Sequence, residues 1–298
     1  MPPEDAIRDL RMRIANYERV YEPIADDTKS YIKLINLQSK MIANRVYGRL
    51  GHSIANFLMG LNIVKRKVIL ARCGNTEGMS DFNEFIIANQ LESSKSGCLT
   101  LNGNNERDFG KVESHDGMKT KPLDKKGRAF SRNLKTFVER EIANPQERLV
   151  VYTSTAQRAI QTAADIPSVG TAAWPALNML DTGMLDEMTF YRICHENPKI
   201  LQEFMQDPFK YRIPGGESFE DVVRRLDDMV VEIERLTQDV LIVSHLTTLQ
   251  VLYGYFKGIP GDKFCSIAFP QKEIIVLSPN QYGWDETRID ITKGDYNE

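Results

Sequence analysis

Three apolar runs in this sequence end in residues that can handle an anion. "KVILARCG" (67–74) delivers Arg72 and Cys73, "RLVVYTS" (148–154) delivers Ser154 with Arg158 shortly after it, and "DVLIVSH" (239–245) delivers His245. Guanidinium groups bind phosphate or carboxylate oxygens through a fixed fork of donors. An imidazole donates, accepts or relays a proton near neutral pH. A thiol is a nucleophile once ionised, and cationic neighbours favour the ionised form. Arg72, Cys73, Arg158 and His245 are therefore a candidate site for a phosphate-like anion, provided the fold brings the three run ends side by side.

The flanking elements predict that it does. Short continuous apolar runs read as strands buried on both faces, and "EIIVLSP" (273–279) is a fourth. Helical patterns over about 127–143, 156–164, 217–236 and 247–257 separate these runs. Strands alternating with helices predict a three-layer α/β/α sandwich. In such sheets ligands sit beyond the carboxyl ends of the strands. Upstream, Ile7, Leu10, Ile14, Tyr17 and Tyr21 repeat at helical spacing within residues 4–21. "YIKLINL" is strand-like, and "ANRVYGRLGHSIANFLMGLNI" holds a second helix whose His52 reads as a surface or capping residue. This gives an N-terminal helix/strand extension, 1–64, before a main domain, 65–298. Residues 79–122 are an insert rich in Ser, Asn, Gly and charge, in which only "FNEFIIANQL" reads as helical and His115 reads as solvated. Long irregular segments in compact domains are usually functional or disordered.

Composition bounds the rest. The chain has 298 residues, 42% hydrophobic and 27% charged, with a formal net charge of −3. That balance suggests neither a nucleic-acid nor a membrane partner. Cys73, Cys98, Cys194 and Cys265 are far apart with no C-x-x-C pair, so neither a disulfide framework nor a metal site is expected. No apolar run approaches the ~18 residues of a membrane span and no signal-like h-region follows Met1, so the chain reads as cytoplasmic. It contains no G-x-x-x-x-G-K-[ST], G-x-S-x-G or H-E-x-x-H motif.

Taken in order, "ILARCG", "VYTSTAQRAIQTA", "RIPGGESFEDVVRRL" and "LIVSHLTT" resemble the histidine phosphatase (phosphoglycerate mutase-like) superfamily. "YRIPGGESFEDVVRRL", "LNMLDTGMLDEMTF" and the upstream "NYERVYEPI…SYIKLINL…NRV" narrow the resemblance. They are similar to the fructose-2,6-bisphosphatase half of the 6-phosphofructo-2-kinase/fructose-2,6-bisphosphatase family, with residues 1–64 resembling the end of its kinase domain. The resemblance implies a phosphatase chemistry without cofactor. A strand-end His attacks the phosphoryl group and forms a phosphohistidine that water hydrolyses. Two Arg and a second His hold the phosphoryl oxygens, and a carboxylic acid protonates the leaving sugar oxygen.

Carried over by position, the resemblance makes Arg72, Arg158 and His245 the phosphate ligands, with His245 also the second catalytic His. Arg212 falls in the stretch that holds the sugar phosphate. Glu217 is either a substrate-side residue or a helix cap. The departures concern the chemistry itself. Cys73 stands at the nucleophile position and Met179 at the acid position. Phe190 replaces a Tyr, Leu246 a Gln, Gln250 an Arg, Met79 an Asn and Gly215 a Lys. Met79 also rules out the C-x5-R loop of cysteine-dependent phosphatases.

The expectation is a pseudo-phosphatase with a binding or regulatory role in fructose 2,6-bisphosphate metabolism. Two alternatives stand beside it. One is an active 2-phosphatase in which Glu77, Asp81 or Glu84 replaces the lost acid. The other is a scaffold that pairs with a kinase subunit or with itself.

Overall fold

Along the strand Val68–Arg72 every residue is buried, and alternate side chains enter two different cores. Val68 and Leu70 pack into one, Ile69 and Ala71 into the other. A period of two with both faces apolar is what a central strand of a sandwich requires. The computed structural model describes residues 3–24, 26–35, 40–60, 65–76, 79–80, 111–112, 121–186, 188, 193, 195–280 and 283–293. Its contacts divide the chain into two compact units, Met1–Leu61 and Asn62–Glu298.

The first unit holds α1 (Pro3–Val20), the antiparallel pair β1 (Tyr31–Ile35) and β2 (Lys40–Asn44), and α2 (Gly48–Gly60). The apolar stripe of α1 is exposed at Ile7, Leu10, Ile14 and Tyr17.

In the second unit β3 (Val68–Arg72) is followed by the short strands β4 (Met79–Ser80) and β5 (Lys111–Val112), which pair with each other in parallel. Then come α3 (Lys125–Glu141), α4 (Pro145–Arg148), β6 (Leu149–Thr153), α5 (Gln157–Ala163) and β7 (Gly170–Ala173). The chain continues through α6 (Pro198–Gln206), α7 (Phe219–Arg235), β8 (Asp239–Ser244), α8 (Leu246–Lys257), β9 (Glu273–Asn280) and β10 (Gly283–Asp290). Six strands form one sheet in the order β10-β9-β3-β8-β6-β7. The strands β3, β8, β6 and β7 run parallel, while β9 and β10 are antiparallel to their neighbours.

Helices cover both faces, as the alternation of elements implies. α7 and α8 contribute Val222, Leu226, Met229, Leu249 and Leu252 to one core. α3 and α5 contribute Phe130, Leu134, Phe137, Ala159 and Ala163 to the other. α7 starts with a capping box, Ser218 accepting from the Asp221 N–H while the Asp221 carboxylate accepts from the Ser218 N–H.

Most of the 79–122 insert, including Asp81, Glu84, Cys98, His115 and the "FNEFIIANQL" stretch, lies outside the described residues, as do Glu77, Thr189, Phe190 and Cys194. Among the described residues no helix is long and apolar enough to cross a membrane.

Candidate active site

Sheet register sets the site. Arg72, the last residue of β3, lies opposite Ser244 of β8, and Val243 lies opposite Thr153 of β6. The next residues, Cys73, His245 and Ser154, therefore leave adjacent strands at the same carboxyl edge. Backbone bonds fix them there: the Cys73 N–H donates to Ser244 O at 2.9 Å and the Ser154 N–H to Val243 O at 3.2 Å. The Gly74 N–H donates to the Thr162 hydroxyl of α5 at 2.9 Å. A Cβ on Gly74 would lie 2.9 Å from the backbone of Gly127, so this turn packs against the start of α3 only as glycine.

His245 is the hub, 1% exposed at the N-cap of α8. Arg158 Nη2 lies 2.9 Å from its Nδ1, and Ser154 Oγ 2.8 Å from its Nε2. A guanidinium only donates, so Nδ1 is the acceptor and Nε2 carries the proton, which it gives to Ser154. Cys73 Sγ approaches the same Nδ1 at 3.7 Å. Arg72 donates to Phe269 O at 3.2 Å. Arg72, Cys73 and Arg158 are all buried, at 6%, 3% and 9% exposure. Two guanidiniums, one imidazole and one thiol thus lie buried at one carboxyl edge of the sheet.

Burial, then the positive charges of Arg158, Arg225 and Arg72, hold the His245 pKa well below its usual value of 6.5. The native imidazole is therefore neutral. Below about pH 6.5 the unfolded chain binds a proton here that the folded chain does not. Stability should then fall as pH drops below about 6.5, by up to about 1.4 kcal/mol per pH unit from this residue, and be flat above it. Urea midpoints from pH 5.5 to 8 check this: a His245→Gln variant should lose that part of the slope.

Met179 is 3% exposed and belongs to the same apolar cluster as Cys73. Its backbone is held by a clamp that sequence reasoning missed. Arg225 of α7 donates from Nη2 to Asn178 O at 2.7 Å and Met179 O at 3.0 Å, and from Nη1 to Ala176 O. Its Nε pairs with Glu217 Oε1 at 3.0 Å, and Glu217 Oε2 accepts from the Asp181 N–H at 3.1 Å. The capping alternative for Glu217 is thereby corrected, because Ser218 caps the helix and Glu217 ties Arg225 to the 176–181 loop. Asn178 anchors the same loop by accepting from the Thr155 N–H and hydroxyl, both at 2.9 Å. Nothing in "VVRRL" distinguishes Arg225 from Arg224, whose partners are Glu220 and Asp221 on its own helix.

The Arg212 side chain is 61% exposed and paired with Asp221. Gln250 is fully buried and donates to Ile267 O at 2.9 Å and Cys265 O at 3.4 Å, pointing its amide at main chain. Leu246 packs into the α7–α8 core. Gly215, with φ +75°, sits in a tight turn against the Gly183 segment.

The model of the histidine phosphatase superfamily, branch 1, matches residues 103–292. The chain belongs to that superfamily. Its likeness to solved histidine phosphatase structures is at the level of fold. A putative alpha-ribazole-5'-P phosphatase from Escherichia coli superposes with a TM-score of 0.56 at 17% identity, covering 76% of this chain and 96% of that one. Sequence relatives are nearer. A 6-phosphofructo-2-kinase/fructose-2,6-bisphosphatase of Arabidopsis thaliana is 30% identical over 97% of this chain. A fructose-2,6-bisphosphatase of Saccharomyces cerevisiae is 30% identical over 96%. This histidine phosphatase chain spans 34% and 56% of the lengths of those two relatives. The 6-phosphofructo-2-kinase model matches residues 1–65. The main domain is therefore fructose-2,6-bisphosphatase-like.

Proposed function

We propose that this bisphosphatase-like domain keeps an anion site and has given up hydrolysis. The observation that supports the reading is the pair of sulfur side chains: Cys73 and Met179, which the resemblance puts at the nucleophile and acid positions, are each 3% exposed in one apolar cluster. A thioether has no proton for a leaving alkoxide. Catalytic groups that act as a unit lose most of the rate when one is missing, and here two are replaced.

Arg72 and Arg158 supply donors to a phosphoryl group, while the neutral His245 orients Arg158 through Nδ1 and gives its own proton to Ser154. The ligand class is a sugar phosphate, and the names of the relatives make fructose 2,6-bisphosphate the first to try. Glu217 serves this site by holding Arg225. Residues 1–64 are read as the end of a kinase domain, so the domain works beside a 6-phosphofructo-2-kinase or pairs with a second copy. Its role is regulatory, through binding.

Thermal unfolding with inorganic phosphate and with fructose 2,6-bisphosphate tests the binding. A ligand at a hundred times its Kd stabilises by about 2.7 kcal/mol, and Arg158→Ala should abolish that shift. No shift in the parent chain would leave a scaffold without a ligand. A cysteine-based hydrolysis is the competing reading, favoured by the 3.7 Å approach of Cys73 Sγ to His245 Nδ1.

A further inference from the structure

The segment Cys265–Gln271, between α8 and β9, runs across the strand end that presents Arg72 and Cys73. Four side chains tie it down. Arg72 Nη1 donates to Phe269 O at 3.2 Å, and Gln271 Nε2 reaches back to Cys73 O. Gln250 donates to Cys265 O and Ile267 O, and Arg288 of β10 donates to Ala268 O at 2.9 Å. Gln250 does so at a cost, since its own Oε1 is buried without a hydrogen-bond partner. Fully buried Gln earns its place by what its amide donates, and here both donors go to the strap.

We propose that Gln271 is a positioning residue, locking the Arg72–Cys73 strand end beneath this strap, and that Gln250 sets the strap by holding its carbonyls. The proposal deepens the anion-site reading, because the same bonds aim Arg72 and restrict access to the Cys73 thiol. Loss of one such bond raises the population of a locally opened strand end about five- to tenfold.

The test follows Cys73 itself. Alkylation by iodoacetamide is measured on the folded chain and resolved by peptide, so that Cys98, Cys194 and Cys265 do not interfere. Gln271→Ala and Gln271→Glu should each speed Cys73 modification about five- to tenfold, with melting temperature lowered by only about 2–5 °C. Glu matches Gln in shape but has no N–H to give. Gln250→Leu should accelerate Cys73 as well, through the Cys265 and Ile267 carbonyls that it releases. Rates equal to the parent chain in both Gln271 variants would overturn the proposal. So would acceleration in Gln271→Ala alone, because that would make Gln271 a packing residue. Inorganic phosphate affinity is measured on the same variants. A parent chain that binds no phosphate sinks the anion-site reading, while the alkylation rates still decide the strap.

Discussion

Cys73→His combined with Met179→Glu is expected to turn background phosphate release from fructose 2,6-bisphosphate into measurable turnover. The scaffold that aims both positions is in place. Backbone bonds hold the β3 and β8 strand ends in register, and Arg225 fixes the Met179 loop from below. An imidazole at 73 would meet a phosphoryl group held by Arg72 and Arg158, with His245 orienting Arg158. A carboxyl at 179 would replace a side chain of similar volume in an apolar cluster, where burial favours the protonated form that a general acid needs. General acid catalysis contributes about 10²–10⁴-fold. The double variant should therefore exceed Cys73→His alone by about that factor. Equal rates in the two would mean that position 179 does not face the leaving oxygen.

The second large effect concerns stability. Arg225→Ala removes four interactions at once, to Ala176 O, Asn178 O, Met179 O and Glu217. Ala176 O and Met179 O would lose their Arg225 donor, while Asn178 O keeps the Thr248 hydroxyl and Glu217 keeps the Asp181 N–H. Stranding such groups costs about 3 kcal/mol. For a unit of this size that lowers the melting temperature by roughly 6–12 °C. Arg225→Lys should recover only part, since an ammonium lacks the fork that reaches two carbonyls and a carboxylate together. A melt within a degree or two of the parent chain would show that the loop is held by Asn178 and Thr155 instead.

What the sequence made legible follows from burial. β3, β6, β8 and β9 are continuous apolar runs because both faces are covered, and their ends named Arg72, Cys73, Ser154 and His245 together. The sheet edges were silent for the opposite reason. β7, "GTAA", is exposed throughout, and β10, "GWDETRID", shows only partial burial, so neither carries an apolar signal. The clamp around Met179 was hidden because Arg225 reaches residues 46 to 49 positions away through main-chain carbonyls, which no side-chain pattern records. Glu217 shows the same limit. Its place before a helix suggested a cap, while its actual partner, Arg225, depends on which face of α7 meets the 176–181 loop.

The measurement that bears most directly on the whole account is phosphate release from fructose 2,6-bisphosphate by the purified chain, run beside Cys73→Ala. The account predicts release at background in both. Release by the parent chain that disappears in Cys73→Ala would contradict it and make Cys73 a working nucleophile.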